Sequence, residues 1–183
     1  MTHEFHSTLL REYDIRGVVG DTLHDADAHA IGRSFGTVIR RGGGSRVAVG
    51  YDGRTSSQML EAALIKGINE SGLDAVSVGM GPTPMLYYAE AVLDDVDGGI
   101  QITGSHNPAN YNGFKMVFQG RPFFGADIQQ LGAMAAAGDW AEGAGSASSF
   151  DIIDQYVARI AEAAPDKPFR VGMECKVPEF IPH

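Results

Sequence analysis

The strongest constraint on the fold is a repeated order: a short apolar run, a polar loop rich in Gly or Pro, then an amphipathic stretch, met twice in succession. "RVAVG" at 46–50 reads as a buried strand and "YDGRTSS" as a loop, after which Leu60, Ala63, Leu64, Gly67 and Ile68 recur on one helix face. "DAVSVG" at 74–79 repeats the strand, "MGPTP" the loop and "MLYYAEAVL" the helix, which ends in the acidic turn "DDVDGG". A third strand follows in "GIQIT", 99–103. Upstream, Ile31, Phe35, Val38 and Ile39 mark the face of a helix that stops at the glycine run 42–44. Strands alternating with helices build layered α/β folds, because each helix returns the chain across the sheet to start the next strand in parallel. After Gly113, "GFKMVF" reads as another strand, in a hairpin or crossover with what precedes it, and "GADIQQLGAMAAA" supplies a last helix. The pattern predicts an α/β fold: a mixed, largely parallel sheet sandwiched by helices.

The composition changes after that helix. Residues 138–149, "GDWAEGAGSASS", are rich in Gly, Ala and Ser and read as a linker. A helix from 150 to about 164 and a strand in "FRVGMEC" follow, as the incomplete start of a second α/β domain. The expected division is a first domain at 1–149, a linker helix and first strand at 150–175, and a truncated or non-native tail at 176–183, where "VPEFIPH" has neither period and carries two prolines.

Partners are bounded by charge. The formal net charge of −9 opposes non-specific binding to nucleic acid or to anionic membranes, which are approached through clustered Lys and Arg, so neither partner is expected. The single cysteine, Cys175, cannot close an internal disulfide, and "MTHEFHSTLL" lacks the basic-then-apolar pattern of a secretory signal. A cytoplasmic location is expected.

In open α/β sheets, ligands sit at polar loops beyond the carboxyl ends of strands. "YDGRTSS", "GMGPTP" and "TGSHNPANYNG" are the loops that qualify. The last carries the most chemistry. Ser105 offers a nucleophile, His106 an acid, base or anion partner, and Gly104 and Pro108 a backbone shaped so that the hydroxyl stands clear. Lys115, in a strand that can run back beside the loop, offers a nearby cation. The same Ser, His, Asn and Pro are also ordinary turn residues, so composition alone leaves a turn and a reactive site both open.

"TGSHNP" followed by "NGFK" resembles the active-site serine loop of the α-D-phosphohexomutases, the phosphoglucomutase and phosphomannomutase family, whose usual form is T-A/G-S-H-N-P. "YDIRG" at 13–17 resembles the family's amino-terminal motif, "GYDGRTSS" its G-x-D-x-R loop, and "GPTPMLYY" fits the stretch that follows. The ordered matches cover nearly all of the first 150 residues, as expected of the family's first domain.

The resemblance implies that Ser105 is carried as a phosphoserine. It would give its phosphoryl group to a hexose phosphate, forming a bisphosphorylated sugar that turns over and returns its other phosphoryl group. The parent would be an isomerase acting on a phosphohexose, with a hexose 1,6-bisphosphate as activator. A phosphoserine brings about −1.5 to −2 charges at neutral pH, and in-line transfer requires that charge to be neutralised. In the family Mg²⁺ binds a phosphoserine oxygen and three aspartates, as suits a hard ion. Lys115 matches the family's proposed general acid/base. Arg16 would face the phosphoserine loop and hold phosphate oxygens through both guanidinium prongs. Tyr13 and His106 would line the substrate and phosphate site, and Asp52 and Arg54 would form an ion pair bracing the neighbouring loop.

The family's metal-binding D-G-D-x-D loop is absent. Asp25 with Asp27, and Asp95 with Asp97, are set aside as substitutes: the first pair sits at a helix start, where acids favour the dipole, and the second closes a helix into a turn. Only Ser105, through its phosphate, is expected to touch the metal. The sugar-selecting and distal phosphate loops are also missing, so the chain alone is expected to be inactive and, with apolar surface exposed, able to self-associate. Two other readings remain. One is a serine phosphatase or esterase with Ser105 and His106 as nucleophile and base, although no acidic orienter or G-x-S-x-G motif accompanies them. The other is a non-catalytic α/β module binding an anion or a protein, with Ser105 a regulatory phosphosite.

Overall fold

A computed structural model describes residues 2–163. The expected strand at 169–175, the tail at 176–183 and Cys175 lie outside the described residues.

Seven strands form one sheet: β1 (Ile15–Val18), β2 (Arg46–Tyr51), β3 (Asp74–Met80), β4 (Gly98–Ile102), β5 (Tyr111–Phe118), β6 (Arg121–Phe123) and β7 (Ala147–Ser149). Their order is β1-β5-β4-β2-β3-β7, with β6 pairing β5. The β4-β2-β3-β7 portion is parallel, and every pairing of β5, to β1, β4 and β6, is antiparallel. The sheet is therefore mixed, with its parallel and antiparallel parts comparable in extent. The reason is local: β2 and β3 are each followed by a helical crossover, whereas β4 reaches β5 through one short loop, which can only reverse the chain. That loop is "TGSHNPAN".

The helices are α1 (Asp25–Arg41), α2 (Ser57–Glu70), α3 (Thr83–Val92), α4 (Ala126–Ala137) and α5 (Ile153–Ala163). Alternation along the buried strands feeds two apolar clusters. Val47 and Val49 join Ile31, Phe35, Leu60, Leu64 and Ile68 of α1 and α2 and Leu131 of α4, while Ala48, Val76 and Val78 join Met85, Leu86 and Ala89 of α3. Side chains two apart share a face, so the sheet is covered on both sides. Burial at roughly 1.5–3 kcal/mol per large aliphatic side chain makes the first cluster the main source of stability.

Residues 138–149 are docked onto the domain. The Trp140 indole donates to Ser34 Oγ at 2.9 Å, Arg40 donates to the Glu142 carbonyl at 2.8 Å, and the Gly143 N–H donates to Glu70 O at 3.0 Å. The stretch then adds β7 to the sheet edge beside β3. Backbone pairing needs no apolar side chains, so this exposed strand leaves no mark in hydropathy. Ile152 and Tyr156, at the start of α5, pack against the α3 cluster. No helix among the described residues is long and apolar enough to cross a membrane.

Both aspartate pairs have structural duties. Asp27 Oδ2 accepts the His24 N–H at 2.8 Å at the start of α1, and Asp97 accepts the Ser45 N–H at 2.6 Å.

Candidate active site

The carboxyl ends of β2 and β4 deliver two loops to the same place, and Asp52 joins them. Its Oδ1 accepts the Ser57 hydroxyl at 2.8 Å and the Arg54 N–H at 3.1 Å; its Oδ2 accepts the Gly104 N–H at 3.2 Å and Arg54 Nε at 3.1 Å. Burial pushes this carboxyl up, but the hydrogen bonds from Ser57, Arg54 N–H, Thr103 and Gly104 outweigh it and hold Asp52 below its ordinary value. It is a carboxylate at neutral pH.

Arg54 closes the second loop. Nη1 donates to Pro108 O at 2.7 Å and Tyr111 O at 3.1 Å, and Nη2 donates to Asn107 O at 2.8 Å and Ser105 O at 3.2 Å. One planar fork thus gathers carbonyls from both sides of the turn, which a lysine's point charge cannot do. The guanidinium lies against Gly104: a Cβ there would sit 2.4 Å from Arg54 Cζ and Nε. The expected Asp52–Arg54 brace is present at 3.1 Å.

Ser105 stands at the exposed tip of this braced turn, with φ +53. A non-glycine residue in the left-handed region is unfavourable and persists where its surroundings impose it. Here the Ser105 N–H is held by Thr103 Oγ1 at 2.9 Å, and the Asn107 side chain donates back to Gly104 O at 2.9 Å. Asp52 in turn accepts the Gly104 N–H, so the half-buried carboxylate anchors the residue next to the serine. His106 is exposed, and among the described residues its ring has no hydrogen-bond partner, neither Ser105 nor an acidic orienter. A serine hydrolase would need both.

The other predicted cations come from the neighbouring strands. In register, Arg16 of β1 faces Gly113 of β5, and Lys115 of β5 faces Gln101 of β4. Thr103 N–H reaches Gly113 O at 2.9 Å, extending the first row to the serine loop. Arg16, Lys115, Gln101 and Thr103 share one face of the sheet, with the Lys115 Cα about 8 Å from that of Thr103 by strand geometry. Both cations converge on one oxygen: Asp14 Oδ2 accepts from Arg16 Nη2 and lies 3.4 Å from Lys115 Nζ. The approach of β1 to β5 is close enough that a Cβ on Gly113 would sit 2.1 Å from Ile15 O.

Tyr13 is 74% exposed and stacks on Phe124 with centroids 6.2 Å apart. With Tyr87, Lys115 and Phe123 the two line a cavity of about 290 Å³ beside the lysine. The fold thus brings Arg16 and Lys115 together and places Tyr13 next to them, with Ser105 and His106 on the adjoining loop.

Two residues of this arrangement escaped the sequence reading. Asp14 lies inside "YDIRG" and Asn112 inside "NGFK", so the motifs contained them, but nothing in the pattern marks their partners. Asn112 is fully buried and donates to Ser56 Oγ at 2.9 Å and Ser57 Oγ at 3.0 Å, tying β5 to the start of α2.

Among the described residues, no group of three or more His, Cys, Asp or Glu side chains is placed to hold a metal ion. The Ser105, Asn107 and Pro108 carbonyls of the serine loop are turned to Arg54, and Asp52 to N–H and hydroxyl donors, so these residues do not by themselves fit a Mg²⁺ site.

Comparison with known proteins places the chain in a family. A family model described as phosphoglucomutase/phosphomannomutase, alpha/beta/alpha domain I, matches residues 7–142. A phosphomannomutase/phosphoglucomutase of Pseudomonas aeruginosa is 44% identical over 170 residues, covering 92% of this chain and 36% of the relative. A phosphoglucomutase of Neisseria meningitidis serogroup B is 41% identical over 158 residues, covering 83% and 33%. The crystal structure of a phosphoglucomutase/phosphomannomutase family protein from Burkholderia thailandensis superposes with a TM-score of 0.84 at 44% identity, over 86% of this chain and 36% of that one. The chain spans about a third of the length of these relatives.

Proposed function

The chain belongs to the phosphoglucomutase/phosphomannomutase family through its alpha/beta/alpha domain I, and from that premise we propose that it carries the phosphoserine of a hexose-phosphate mutase. The observation that carries this reading is Ser105: exposed, left-handed, and held at the tip of a turn whose carbonyls are gathered by Arg54. Phospho-Ser105 transfers its phosphoryl group to a free hydroxyl of a hexose monophosphate. The serine P–O bond breaks, the sugar P–O bond forms, and the hydroxyl proton leaves with a base. The bisphosphorylated sugar then returns its other phosphoryl group to Ser105. The net change is between the 1- and 6-phosphates.

Arg16 and Lys115 are the charges assigned to the phosphoryl oxygens in flight; Lys115 is also the proton carrier at the sugar hydroxyl, as the neutral amine when it takes the proton and as the ammonium when it gives one back. Tyr13 and His106 line the approach. Of this chain's residues only Ser105, through its phosphate, would touch a Mg²⁺, which would supply further neutralisation of the phosphoserine charge. Spanning a third of its relatives' length, the chain alone is expected to show no mutase turnover. The test is peptide mapping by mass spectrometry after incubation with a hexose 1,6-bisphosphate. Phosphoryl uptake on Ser105, absent in Ser105→Ala, is expected; uptake on any other residue, or hydrolysis of a generic phosphomonoester, refutes the assignment.

A further inference from the structure

We propose that Asp14 is the positioning residue of this phosphoryl-transfer site: its carboxylate aims Arg16 and Lys115 together at the sheet face beside Ser105. Asp14 is 6% exposed, and a charge so buried is kept only with partners. Its partners are the two cations assigned to the phosphoryl group, one from β1 and one from β5, both on a single oxygen. Among the described residues, neither cationic side chain bonds any other side chain. Lys and Arg are long, rotamer-rich side chains, so one shared acceptor restricts them at once. It also offsets the repulsion between two like charges on adjacent strands. With two cations and one anion, the cluster keeps one net positive charge for an incoming phosphoryl group of about −1.5 to −2. Asp14 touches no reacting atom in this scheme; it acts through Arg16 and Lys115.

The inference rests on the phosphoryl-transfer reading and predicts a split that a purely structural aspartate would not produce. In Asp14→Asn the two cations lose their common anchor, so the first-order rate of phosphoryl uptake at Ser105 falls about tenfold to a hundredfold. Removing a negative charge also makes the site more positive, so the half-saturating concentration of hexose 1,6-bisphosphate falls or stays level. Asp14→Glu, which restores the carboxylate, recovers part of the rate. An activity-free readout accompanies this one: competitive acetylation of the full chain, comparing Lys115 with the exposed Lys66 by peptide mass. Lys115 is expected to react more slowly than Lys66 in the wild-type chain and to approach it in Asp14→Asn. Equal uptake rates, or an unchanged Lys115 labelling ratio, in wild type and Asp14→Asn overturn the inference while leaving the mutase reading intact. No uptake at Ser105 in the wild type sinks that reading, and this inference with it.

Discussion

Replacing Asp52 by asparagine tests whether one carboxylate welds the two loops of the site. In the wild type both oxygens accept: Ser57 Oγ and the Arg54 N–H at Oδ1, Gly104 N–H and Arg54 Nε at Oδ2. An asparagine satisfies most of them by turning its oxygen toward Gly104 and Arg54 Nε and its NH₂ toward the Ser57 hydroxyl. The Arg54 N–H is then set against another donor, and the remaining bonds lose their charge. With charge-assisted hydrogen bonds worth about 1.5–3 kcal/mol and neutral ones about 0.5–1.5, the loss sums to about 2–3 kcal/mol once partial exposure is allowed for. Because the folded Asp52 lies below its ordinary value of 3.8, its contribution is fully present above that value and disappears as pH falls through the folded one. The Asp52→Asn variant has no such dependence, since an amide does not titrate in this range. Urea unfolding followed by circular dichroism and by the fluorescence of the single tryptophan, Trp140, is therefore expected to show a gap of that size at pH 7. The gap should narrow as pH falls below the ordinary value of 3.8 and through the lower folded one. A gap under about 0.5 kcal/mol at neutral pH, or one that persists undiminished in acid, would refute the account of Asp52 as a charged weld.

Further substitutions probe the same turn. Ser105→Gly removes a left-handed cost of roughly 1–2 kcal/mol while adding back glycine's unfolded-state freedom, so it should stabilise the chain by about 0.5–1 kcal/mol in urea unfolding, whereas Ser105→Ala should not. A destabilised glycine variant would mean that the backbone at Ser105 is not strained. Gly104→Ala forces a methyl against the Arg54 guanidinium and should cost about 1–3 kcal/mol, with faster hydrogen exchange at the Asn107 N–H; unchanged exchange would show that Arg54 gives way freely. Asn112→Ala removes the buried amide that donates to both the Ser56 and the Ser57 hydroxyl oxygens and should lower the urea midpoint by the equivalent of about 1–3 kcal/mol, and a neutral result would remove Asn112 from the frame of the site.

The order of elements was legible because period marks a helix face, with Leu60, Leu64 and Ile68 on one side of α2, and because a run as short as "RVAVG" bounded by Gly-rich loops suits a buried strand better than a helix. Loop chemistry was legible for a similar reason. Gly104, Ser105, Asn107 and Pro108 each favour turn geometry locally, and the motif they spell is contiguous. The brace between Asp52 and Arg54 also followed from two residues close in the chain.

What escaped lay between segments distant in sequence. Nothing near Asp14 marks Lys115 as its partner; they meet because β1 and β5 run antiparallel in one register, set by how Ile15 and Phe114 fill the core. The carbonyls collected by Arg54 carry no side-chain signature, and β7 is exposed along its whole length, paired through backbone alone. Local propensity and periodicity act over a few residues, and within that reach the amino-acid sequence alone determined the α/β order and the serine turn. Shared acceptors, strand order and the facing of two cations toward one carboxylate depend on which strands become neighbours, and only tertiary packing decides that.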